Sequence, residues 1–147
     1  MLVNFKFKNF KSFYKENDLS LQATKDNELK EINTFNVDEN LFNKVEEHEL
    51  LKSAIIFGGN ASGKSNIIKG LTYMYNVIRL SPAQQFSNIV KLNEYYAFYE
   101  NACNEPSLYE VEIIKNENLY RYGFTILHGK IEKEWLYKRS ERNSLVF

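Results

Sequence analysis

Gly58-Gly59-Asn60-Ala61-Ser62-Gly63-Lys64-Ser65 fits the phosphate-binding pattern G-x-x-x-x-G-K-[ST] at every fixed position. The residue types follow from the chemistry. Backbone N–H groups can wrap an anion only where side chains are small, so Gly58 and Gly63 bracket the wrap, with Gly59, Asn60, Ala61 and Ser62 between them. Lys64 brings a point charge to the β/γ oxygens of a nucleotide, Ser65 offers a hydroxyl to Mg²⁺, and Asn66 is placed near the α-phosphate. ATP and Mg²⁺ are therefore the expected ligands. The flanks have the required character. Residues 54–57, Ala-Ile-Ile-Phe, form an unbroken apolar run, read as a strand covered on both faces. Beyond the loop, Ile67, Ile68, Leu71, Tyr75 and Ile78 recur at helical spacing until Ser81-Pro82 stops the helix, and Gly70 inside it suits close packing.

Working outward, 147 residues suffice for one domain with a real core and are few for two, so residues 1–147 are read as a single domain. Nineteen basic and nineteen acidic residues leave no global field toward nucleic acid or an anionic membrane, so any nucleic-acid contact must be local. One cysteine, Cys103, excludes an internal disulfide and suits a reducing compartment, and with no catalytic pattern nearby it reads as an inert thiol. His48 and His128 are isolated, without metal-ligand spacing. The first fifteen residues alternate lysines with aromatics and hold no apolar stretch of signal or membrane-span length, so a cytoplasmic protein with no membrane partner is expected. The chain has 11 Phe and 10 Tyr, which serve either as core filling or as stacking surfaces for bases, and core filling is the simpler account.

Residues 2–8 alternate at period two, with Val3, Phe5 and Phe7 expected on one face of a strand, and residues 19–23 are expected to pair with them as a hairpin. From Thr24 to Glu49 the chain is polar and charged, with a short capped helix expected over 38–48 and a solvated acidic run at Glu46-Glu47-His48-Glu49. Residues 81–106 show no clean period, although Tyr95, Tyr96, Phe98 and Tyr99 must cover something apolar. Strands return at 108–114, 119–127 and 131–137, joined by hairpin-length turns at 115–118 and 128–130. The fold class expected is α/β: the loop with its strand and helix, joined to an antiparallel sheet that unites residues 2–8 with 108–137.

The aspartates are Asp18, Asp26 and Asp38, all before the loop. Nucleotide hydrolysis in loops of this kind needs a second carboxylate, at the end of a hydrophobic strand, to hold Mg²⁺ opposite the loop hydroxyl. Glu110, Glu112 and Glu134 lie in alternating segments without that pattern, so no residue is assigned a catalytic role. A guanine reader is absent, since Asn43-Lys44-Val45-Glu46 only loosely follows N-K-x-D and precedes the loop. A phosphoryl-transfer kinase would want an arginine-rich lid, whereas Arg121, Arg139 and Arg142 are scattered.

Asn9-Phe10-Lys11-Ser12-Phe13, together with the run from Ala54 through the loop to Ile68, resembles the opening of ABC-type ATPase heads. That group includes the RecF and structural-maintenance-of-chromosomes proteins, the overcoming-lysogenization-defect nucleases, and bacterial phage-defence ATPases often called AAA family. The variant Asn-Ala-Ser-Gly-Lys-Ser-Asn, with Glu134-Trp135-Leu136-Tyr137, is most similar to the last. The resemblance implies that these residues are the front of a head. Its Asp-Glu magnesium strand (Walker B), signature motif and switch histidine would come later. It implies further that two heads, a homodimer in the full protein, sandwich two ATP molecules, with DNA maintenance or phage defence as the setting and nucleic acid as a possible partner. Lys11 and Ser12 approach the nucleotide on this reading, the alternative being a surface turn. Gln84 and Gln85 follow Pro82 without a preceding strand and are not taken as the magnesium-bridging glutamine. A nucleotide-binding or interaction module that never hydrolyses ATP is the second reading.

Overall fold

Alternation of apolar and polar residues through the C-terminal third builds the largest element. In the computed structural model, which describes residues 1–25, 28–37, 49–82, 86–139 and 143–146, strands β5 (Ser107–Lys115), β6 (Asn118–Leu127) and β7 (Lys130–Arg139) form an antiparallel meander. Its turns hold two residues each. Asn116 and Glu117 have φ of 50° and 58°, and His128 and Gly129 have 49° and 68°, the doubly left-handed geometry that matches the twist of paired strands. β1 (Leu2–Lys8) pairs with β5, as expected, and β2 (Asn17–Ser20) pairs with β1. With β8 (Asn143–Leu145) on the far edge, the order is β2-β1-β5-β6-β7-β8. β2 begins earlier than the expected 19–23, because Asn17 and Asp18 already pair with Phe7 and Lys6.

One face of this sheet is the core. Phe5, Phe7, Tyr109, Phe124 and Ile126 are essentially inaccessible, and helix α2 (Lys64–Leu80) lays Gly70, Met74 and Val77 toward them. A β-carbon on Gly70 would lie 3.4 Å from the Phe5 and Phe10 rings, so the helix backbone passes within contact distance of both. Burying each such aromatic is worth about 1.5–3 kcal/mol. Val3 does not share this face. The β1–β5 register shifts between Leu2 and Asn4, and the bulge moves Val3 into a second, smaller cluster with Leu50. Around it sit helix α1 (Lys30–Asn33) and the two-stranded sheet of β3 (Thr34–Asn36) and β4 (Glu49–Leu51), structure absent from the sequence reading of this polar stretch. The aperiodic region likewise holds helix α3 (Phe86–Lys91) and a 3₁₀ turn at Glu100–Asn104. The expected helix over 38–48, Gln84, Gln85 and Arg142 lie outside the described residues.

The clearest correction concerns residues 54–57. They form no strand, and Ile55 and Phe57 are 76% and 86% exposed. Among the described residues the backbone of 53–57 makes no hydrogen bond. An apolar run becomes a buried strand only where neighbouring strands supply the ladder; here β4, just before it, is bonded to β3 on one side and to residues 21–23 on the other, but among the described residues neither ladder continues into 53–57. No described helix is long and apolar enough to cross a membrane.

Candidate functional site

The glycine-rich loop delivers the chain into α2. Ala61 and Gly63 take left-handed backbone angles, φ 61° and 94°, geometry of the kind that turns amides into an anion-binding concavity. Asn66 and Ile67 donate their amides to the Gly63 carbonyl at 2.8 and 3.3 Å. The amides of Gly63, Lys64 and Ser65 have no backbone partner among the described residues, at the positive end of a 17-residue helix. Gly63 is needed twice over: besides its φ, a β-carbon there would lie 2.9 Å from Ser12 Oγ and 3.0 Å from the Phe13 ring. At Gly58 it would meet Ser62 Oγ at 2.7 Å. Lys64 Nζ donates to the carbonyls of Gly58 and Gly59 at 2.7 and 2.6 Å, so the loop closes on its own cation.

Ala61, Ser62, Gly63, Lys64, Ser65 and Asn66 line one cavity of about 470 Å³, and Lys11 and Ser12 stand in its wall. Asn66 Nδ2 donates to Ser12 Oγ at 3.0 Å, tying the start of α2 to the loop after β1. Gly58, Gly59 and Asn60 lie outside the cavity, the two glycines joined to it through Lys64. The remaining wall is Glu94, Tyr95, Ala97 and Phe98, none of which had been read as site residues. Tyr95 and Tyr96 are half-buried, whereas Phe98 and Tyr99 are exposed and rest against the rings of Tyr96 and Tyr14 rather than on the core.

Asn9 explains why this wall stands where it does. It is fully buried with φ 53°, an angle asparagine adopts more readily than most residues. Its Nδ2 donates to the Ala102 and Glu105 carbonyls at 2.8 and 2.9 Å, and its Oδ1 accepts from the Tyr96 amide at 3.1 Å. A second buried chain continues from its carbonyl. Ser107 Oγ donates to Asn9 O at 2.6 Å, Asn93 Nδ2 to Ser107 Oγ at 2.9 Å, and the Tyr109 hydroxyl to Asn93 Oδ1 at 2.7 Å. Burial holds the Tyr109 hydroxyl well above its ordinary value. Backbone bonds from Lys11 N to Glu94 O and from Ala97 N to Lys11 O, 3.1 and 2.8 Å, stitch the two loops together. Tyr14 adds an outer tie: its hydroxyl donates to Glu105 at 2.6 Å, which pushes the hydroxyl up to about 12.

Among the described residues that line the cavity Glu94 is the only carboxylate, and it forms an ion pair with Lys11. The other glutamates of interest are engaged elsewhere: Glu110 accepts from Trp135 Nε1 at 2.8 Å, and Glu134 accepts from the Tyr122 hydroxyl at 2.7 Å. Among the described residues no cluster of His, Cys, Asp and Glu could hold a metal by itself. Ser65 can contribute one ligand to a Mg²⁺ whose shell is mainly phosphate and water, and free amides beside a lysine suit an anion, so the donor set fits a magnesium nucleotide.

A phosphate-loop motif opening onto a helix N-terminus, within an α/β fold that carries an antiparallel sheet, defines the class. Residues 53–146 match the family described as "AAA domain, putative AbiEii toxin, Type IV TA system". The chain belongs to that family, a group of P-loop, AAA-type ATPases, which implies nucleotide binding and the use of Mg²⁺. No curated protein matches it.

Proposed function

We propose that this chain is the nucleotide-binding front portion of an ABC-type ATPase head, with the phosphates of ATP held on residues 58–66 and approached by Lys11 and Ser12. The observation that carries the reading is the shared cavity, in which residues from the loop after β1 meet residues 61–66 around free helix-terminal amides. Gly63, Lys64 and Ser65 bind the phosphates through backbone N–H groups. Lys64 Nζ exchanges its two carbonyl partners for phosphate oxygens, and Ser65 Oγ faces the magnesium. When bound, Mg²⁺ would neutralise phosphate charge, with Ser65 Oγ as its ligand from the loop. Lys11 is poised beside them, its charge offset by Glu94.

In the full protein two such heads sandwich two nucleotides, and further chain covers the apolar segment at 54–57; the exposure of Ile55 and Phe57 supports this. The setting is cytoplasmic, in phage defence or DNA maintenance, with nucleic acid a possible partner. A module that binds nucleotide without hydrolysing it is the second reading, favoured for residues 1–147 by the lack of any aspartate after Asp38. Both readings predict negligible turnover by these residues alone, because positioning and electrostatics supply nearly all of phosphoryl-transfer catalysis.

Calorimetry with Mg-ATP tests the shared core of both readings. Lys64→Ala removes a charge-assisted contact and weakens binding by about 1.5–3 kcal/mol. Equal affinities in wild type and variant, at matched folding, would refute the assignment. A phosphate-release assay separates the head from the module: turnover gained on adding the downstream half selects the head.

A further inference from the structure

We infer that Phe98 is the seat of the nucleobase, so that one cavity grips phosphates at its loop end and stacks the base at its aromatic end. The inference rests on the nucleotide reading above and adds to it which residue contacts the base and how the base is chosen. Single exposed aromatics are ordinary on protein surfaces. Phe98 differs in three respects. It is 79% exposed yet lines the same cavity as Lys64 and Ser65. It is also braced: Tyr96 meets its ring edge-on at 5.6 Å, and Tyr14 packs against Tyr96 at 5.4 Å. Finally, its neighbour Ala97 donates its amide to the Lys11 carbonyl, and the Tyr96 amide is held by buried Asn9. The ring is thus presented on a fixed backbone with a face left open to solvent, the state of an aromatic that lacks its stacking partner.

Phosphates bound at the free amides of α2 send the rest of a nucleotide along the cavity toward its other wall. That wall offers Tyr95, Ala97 and Phe98, while its one carboxylate among the described lining residues, Glu94, is paired with Lys11. A base there gains stacking area with few partners for its hydrogen-bonding edge. Selection accordingly follows ring size: purine triphosphates bind more tightly than pyrimidine triphosphates, and ATP and GTP bind about equally.

The experiment titrates the chain with ATP, GTP, UTP and inorganic tripolyphosphate, in wild type and in Phe98→Ala, Phe98→Tyr and Lys64→Ala variants. Stacking on the ring predicts that Phe98→Ala weakens ATP about tenfold, leaves tripolyphosphate unchanged and levels ATP with UTP. Phe98→Tyr restores the purine preference. Lys64→Ala weakens ATP and tripolyphosphate together. Unchanged ATP affinity in Phe98→Ala overturns the base seat and leaves the phosphate site standing, as does equal weakening of ATP and tripolyphosphate. Failure of wild type to bind either ligand overturns the phosphate site, and the base seat with it.

Discussion

The sheet and the segment that leads into the loop are built from similar residues and end in opposite states. Phe124 in β6 is inaccessible, ladder-bonded to both neighbours and packed in the main core; Phe57 is 86% exposed with no ladder at all. The difference teaches that hydrophobicity alone does not make a strand. β1 through β8 close a set of mutual pairings, whereas the backbone of residues 53–57 has no partner among the described residues and the side chains of Ile55 and Phe57 stand largely in solvent. The site sits at the junction of the two, with one wall anchored by the sheet's buried polar chain and the other made by the loop.

The largest break of that contrast is Phe124→Ala, which removes a ring from the finished region and is expected to cost about 3–5 kcal/mol, read from urea unfolding midpoints. Asn9→Ala comes next. It strands two carbonyls and an amide and places alanine at φ 53°, for a loss of about 2–4 kcal/mol. Because Asn9 positions the wall that carries Tyr96 and its neighbours, nucleotide affinity should fall as well, which a purely remote core defect would not produce.

Alkaline pH probes the same buried region. Burial raises the hydroxyls of Tyr109 and Tyr73, and burial with the bond to Glu134 raises that of Tyr122, all from an ordinary 10.0. The folded state therefore keeps protons that the unfolded chain releases. Their contribution is complete below about pH 10 and declines as the pH rises above it. Urea midpoints should hold steady from pH 7 to 9 and then fall, and a Tyr73→Phe variant should fall less steeply. The smallest effect is expected at the unfinished region: Phe57→Ser should change stability by no more than about 0.5 kcal/mol while reducing self-association. A loss of several kcal/mol there would mean that residues 53–57 are already paired in solution.

What could be read from the residues alone follows the same division. The meander was legible because period-two alternation and two-residue turns are local signals, and α2 because its apolar spacing runs unbroken to Ser81-Pro82. The strand at 54–57 was misread because its composition records an environment, and that environment lies in other chain segments. Val3 was misplaced by a bulge, which no alternation pattern reveals. Glu94 and Phe98 were missed since an irregular segment has no period to betray which side chains face a cavity. Asn9 did leave a trace, as an asparagine ending a strand, the residue type suited to a left-handed turn with side-chain bonds to the backbone.

Trp135, the one tryptophan, lies on the sheet face away from the cavity, its indole so close over Gly123 that a β-carbon there would fall 2.5 Å from the ring, with Nε1 bonded to Glu110. The chain consequently carries a built-in fluorophore for the β5–β6–β7 register. Its emission follows the pairing of those strands while remaining blind to events at the loop, so a spectral shift on melting, unaccompanied by one on titration with nucleotide, separates assembly of the sheet from occupation of the cavity in a single cuvette.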